Sequence, residues 1–81
     1  MNDLEKLQVL LPHWIEHYAE HAGELRTWAE RIQHAGQADV AERLLAAAAS
    51  LQQAGEHLSD LLNQIGAVTE TGENIRAKQV K

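Results

Sequence analysis

The 81-residue chain is 44% hydrophobic, rich in Ala and Leu, free of Cys and Phe, and carries a net charge of −5. That length allows one small domain, and the Ala/Leu/Glu/Gln bias favours helix over sheet. Without cysteine there are no disulfides, thiolate metal sites or Cys nucleophiles, and so short a chain buries too little surface for a deep pocket, so no enzymatic activity is expected.

Residues 1–66 hold four basic and ten acidic side chains, whereas Arg76, Lys78 and Lys81 crowd the end of the chain. An acidic body repels phosphate backbones and attracts cations, which argues against nucleic acid as a partner. The opening stretch lacks the basic and apolar regions of a signal peptide, and no apolar run approaches the ~20 residues of a membrane span. A cytoplasmic protein with no membrane partner is the expectation.

The first periodic segment runs from about Asp3 to His34, with Leu4, Leu7, Leu11, Trp14, Tyr18, Leu25, Trp28 and Ile32 at alternating spacings of three and four. His21 fills the one gap in that series. Pro12 lacks a backbone N–H and biases Leu11 away from helical geometry. The expectation is a short lead-in helix over residues 3–10, with a break or kink at Pro12 before the main helix.

Gly36 then suits a left-handed position after a helix end, and Asp39 followed by Glu42 reads as an N-cap with its capping-box partner. The second periodic segment runs from about Asp39 to Gly66, with Ala41, Leu44, Ala48, Leu51, Gly55, Leu58, Leu62 and Ile65 in the same spacing. So short a connection forces the two long helices antiparallel. The predicted fold is all-α, a helical hairpin over residues 1–66 followed by a flexible tail over 67–81.

In heptad terms, Leu4, Leu11, Tyr18, Leu25 and Ile32 take position a on the first helix, and Leu7, Trp14, His21 and Trp28 take d. Facing residue numbers should then sum to roughly 76, which sets Trp28 against Ala48 and His21 against Gly55, large against small. Outside this seam, Val40, Ala47, Ala54, Leu61 and Val68 on the second helix, and Ile15, Ala22 and Ala29 on the first, remain apolar. A lone hairpin would leave them wet, so pairing into a four-helix bundle as a homodimer or higher homo-oligomer is expected.

The chemistry-bearing residues cluster in the first helix. His13, His17 and His21 each precede a glutamate by three, giving His-x-x-Glu three times within residues 13–24, with no Lys or Arg inside. Imidazoles four residues apart share a helix face about 6 Å apart and can chelate one transition metal. His13 and His21 are separated by about 12 Å of helical rise, so a site uses one adjacent pair, completed from elsewhere. His57 on the second helix lies on the same side, and Glu16 and Glu20 can serve as ligands or as acceptors that orient the imidazoles. The metal set is therefore His13, His17, His21, His57, Glu16 and Glu20. Imidazole with carboxylate suits zinc, nickel, cobalt, copper or iron better than calcium or magnesium. The bland alternative is a solvated polar face, and His21 also reads as a core histidine opposite Gly55.

The stretch Leu10-Leu-Pro-His-Trp-Ile-Glu-His-Tyr-Ala-Glu-His-Ala22 resembles the HWIEH…EH signature of short, His-rich bacterial helical domains found alongside nickel- and cobalt-handling proteins. Where that signature places Asn after the second His, this chain has Tyr18. The resemblance implies metal association for His13, His17 and His21, and a metal-handling protein as a further partner.

Two functions follow. One is a module binding a divalent transition metal, nickel or zinc foremost, for storage, delivery or sensing. The other is a homo-oligomerising or partner-docking helical module in which the histidines are incidental.

Overall fold

The computed structural model describes residues 2–71, with side-chain surroundings through residue 66. Two helices, α1 (Asp3–His34) and α2 (Ala38–Thr71), form an antiparallel hairpin measuring 56 × 30 × 12 Å, a single layer of helix. No strand occurs among the described residues.

α1 starts on a reciprocal cap. Extended Asn2 accepts the Glu5 N–H at its Oδ1 (2.9 Å), and Glu5 Oε1 accepts the Asn2 N–H (3.1 Å). Two otherwise orphaned donors are thereby satisfied. From there the helix runs unbroken through Pro12, so residues 3–10 are its first turns and not a separate lead-in element. A mid-helix proline costs ~3 kcal/mol, but fully burying one aliphatic side chain returns ~1.5–3 kcal/mol. Leu11 is completely buried and Leu7 half-buried, so this end of α1 is held against α2 and helical geometry is retained.

The turn is a Schellman motif. Gly36 adopts φ +85° and donates to the Gln33 carbonyl (2.9 Å), while the Gln37 N–H reaches back to Ile32 O (3.1 Å). Gln37 closes α1 and opens α2 at once, because its own carbonyl accepts the Ala41 N–H (3.1 Å). That leaves no room for Asp39 as the N-cap. Asp39 instead occupies the first turn of α2, where its charge complements the helix dipole. At its other end α2 passes Gly66 and reaches Thr71, so the first five residues of the expected tail are helical backbone. Residues 72–81 lie outside the described residues.

The seam on α2 is the expected one. Ala41, Leu44, Ala48, Leu51, Gly55, Leu58, Leu62 and Ile65 are all buried or half-buried. On α1 the seam is rotated by one column. Leu11, Tyr18, Leu25 and Ile32 face inward as expected, but they are joined by Gln8, Ile15, Ala22 and Ala29, whereas Trp14, His21 and Trp28 are exposed. The register differs too. A methyl group on Gly55 would meet Tyr18 Cβ at 3.9 Å, and one on Gly66 would meet Gln8 Nε2 at 3.7 Å. Facing residue numbers thus sum to 73 and 74 at these levels, and the partner of Gly55 is Tyr18, not His21.

Size explains the rotation. Among the described residues, four of the six that are buried are Ala22, Ala29, Ala41 and Ala48, so the helices meet through their smallest side chains. Seating Trp14 and Trp28 in the seam would wedge the helices apart and cost dispersion contacts along their length. Seating His21 there would bury a polar ring.

Candidate metal centre

Rotation of the seam turns the whole histidine ladder to the outside. His13, His17 and His21 climb the outer surface of α1, all exposed. The rings of His13 and His17 stand edge to face with centroids 4.7 Å apart and planes at 76°. Those of His17 and His21 are 6.1 Å apart and nearly parallel, at 28°. The helix repeat gives both pairs the same backbone spacing, so the difference arises in side-chain torsions.

The two pairs differ in ring separation, one requirement for sharing an ion. With metal–nitrogen bonds of about 2.0–2.1 Å, an imidazole centroid lies roughly 3.1 Å from the metal, so two rings at a 90–110° ligand angle have centroids about 4.4–5.1 Å apart. The His13–His17 separation falls inside that window, and the His17–His21 separation lies beyond it. His21 is also engaged elsewhere. Its Nδ1–H donates to Glu24 Oε1 at 3.3 Å, leaving Nε2 as its free ligand atom. Of the three His-x-x-Glu repeats, only this third one closes into a hydrogen bond among the described residues. The repeat itself was the signal for Glu24, but nothing in the sequence distinguishes the repeat that closes from the two that do not.

Glu16 and Glu20 are exposed on the same outer surface of α1, and His57 is exposed on α2, level with Glu16 in the observed register. Among the described residues no three His, Asp or Glu side chains converge to hold an ion, so neither His57 nor the two glutamates join the His13–His17 pair as a third ligand within one chain. His34 is occupied at the end of α1, where its Nδ1–H donates to the Glu30 carbonyl at 2.9 Å.

The opposite flank of the hairpin carries a different feature. An open groove of about 460 Å³ runs between Ala22 and Arg26 on α1 and Gln52, Glu56 and Asp60 on α2. Arg26 Nη2 crosses it to donate to Gln52 Oε1 at 3.2 Å. None of the histidines lines it.

No helix among the described residues is long and apolar enough to cross a membrane. No curated protein and no solved structure matches the chain. One family does match, described as a domain of unknown function, DUF8180, over residues 7–65. Those residues take in the three-rung histidine ladder, the Schellman turn and nearly all of the seam, and the chain belongs to that family.

Proposed function

We propose that this chain is a small helical module that binds a divalent transition metal, nickel or zinc, with His13 and His17 as the ligand pair. What supports this most is the 4.7 Å ring separation, the spacing two imidazoles need to share one ion. The acidic surface favours cations near the site. His21 stands one turn further along, with its free Nε2 available as a second docking point.

Two imidazoles leave at least two coordination positions for water or for groups from another protein. A site so open holds metal loosely and passes it on readily, which favours delivery or sensing over storage. A metal-handling protein in the cytoplasm is the partner this chemistry suits, and the role is one of binding with no catalytic step.

Calorimetry with nickel and zinc tests the proposal. Binding at micromolar metal is expected, lost in the His13→Ala/His17→Ala double variant and kept in His34→Ala. No heat at those concentrations, or equal affinity in the double variant, would overturn it.

A further inference from the structure

We infer that the hairpin binds a second copy of itself through one flank, independently of metal. Two columns of side chains carry this inference: positions 7, 14, 21 and 28 on α1 and positions 40, 47, 54 and 61 on α2. The other flank of α1, through Arg26, already meets Gln52 of α2 across the groove. With the seam between them, the two named columns therefore lie side by side on the remaining flank.

Their residues are Leu7, Trp14, His21 and Trp28, then Val40, Ala47, Ala54 and Leu61. No Asp, Glu, Lys or Arg occurs among the eight. Trp14, Trp28 and Val40 are 39%, 49% and 48% exposed, large apolar surfaces left in water on a chain with a single layer of helix. Isolated exposed apolar residues are ordinary, but three large ones on one flank, bordered by the half-buried Leu7, Ala54 and Leu61, mark a contact surface.

Charge selects the occupant. Like faces meet in a two-fold dimer. The rest of the surface displays Glu16, Glu20, Glu24, Glu30, Glu42, Glu56 and Asp60 against Arg26, Arg31 and Arg43, so self-contact there would bring mostly like charges together. The band meets its own copy with fewer like charges opposed, its one polar side chain being His21, which is already hydrogen-bonded to Glu24. Arg31 lies at its rim, with the guanidinium 4.4 Å from the Trp28 ring centroid, as arginine does at the edge of many interfaces. Residues 72–81 carry three cations and only Ile75, Ala77 and Val80 as apolar side chains, too little to cover the band.

Area is sufficient. From position 7 to position 28 a helix rises about 32 Å, and two helices 8–10 Å apart make a face about 20 Å wide. That is roughly 600 Å² per copy and about 1,200 Å² in total, at the lower edge of stable interfaces.

Sedimentation equilibrium in the presence of a chelator tests this on the whole chain. A species of twice the 9.0 kDa chain mass is expected at tens of micromolar. Trp14→Glu and Leu61→Glu should each raise the dissociation constant at least tenfold, with helical content checked by circular dichroism. Leu45→Glu, an exposed apolar residue on the groove side, should leave it unchanged. In the unmodified chain, emission from Trp14 and Trp28 should shift to the red on dilution, with the same midpoint as the mass. A 9.0 kDa species at every concentration, or a dimer that survives both glutamate variants, would overturn the inference. Because no metal is present, neither result depends on whether the histidines bind one.

Discussion

The two flanks of this hairpin border the same seam yet are finished in opposite ways. On one, Arg26 reaches across to Gln52 above an open groove with Glu56 and Asp60 on its wall. On the other, Trp14 and Trp28 stand beside Val40 and Leu61 with no charged residue in either column. The first flank presents polar and charged side chains to solvent, and Arg26 meets Gln52 within one chain. The second leaves Trp14, Trp28 and Val40 exposed, and it is the face we infer meets a second copy. In a chain with one layer of helix, the seam sets the fold and the flanks determine what it meets.

The largest test of that contrast removes the core beneath both flanks. Leu11 is the one large side chain fully buried among the described residues. Leu11→Ala should cost ~2–5 kcal/mol, which a domain this small can barely withstand. Urea denaturation at fixed protein concentration would measure it, and a loss below 1 kcal/mol would mean that the seam is placed wrongly.

A smaller effect tests how the flanks are aligned. Gly36 at φ +85° fixes the turn and with it the register that brings Tyr18 to Gly55. A side chain there is strained by ~1–2 kcal/mol, so Gly36→Ala should lower stability by about that amount while leaving helical content intact. Thermal unfolding followed by circular dichroism would show it.

The smallest expected change lies on the polar flank. Arg26→Ala removes an exposed hydrogen bond and should alter stability by less than ~0.5 kcal/mol. It should leave the oligomeric state untouched, unlike the substitutions at Trp14 and Leu61. A large effect would show that the groove side carries more of the fold than its exposure suggests.

Much of this architecture was legible in the residues. The spacing of apolar positions gave both helices, Gly36 gave the turn, and the whole α2 seam from Ala41 to Ile65 is as expected. On α1 the pattern was ambiguous because two neighbouring columns are both apolar: Leu7, Trp14 and Trp28 in one, Ile15, Ala22 and Ala29 in the next. Hydrophobicity favours the tryptophans, whereas close approach of two helices favours the alanines, and packing decided it. Pro12 was misleading for a related reason. A local rule predicts a break, but the burial of Leu11 and Leu7 beside it offsets the cost of the proline.

Similar limits apply to the candidate metal residues. The His-x-x-Glu repeats identified His13, His17 and His21 as a ladder, and the structure lines them up on one surface. Which pair has the shorter ring separation depends on side-chain torsions, which no spacing rule encodes. His57 required a register that differs by two to three residues from the one that spacing suggested, and it stays apart from the pair.

The central claim is that His13 and His17 act together. Residue-resolved imidazole signals in a nitrogen–proton spectrum, followed during addition of sub-stoichiometric zinc, test it most directly. The account predicts that His13 and His17 change first and in step, that His21 follows, and that His34, held by the Glu30 carbonyl, does not move. Equal shifts at all five histidines, or none at any of them, would contradict it.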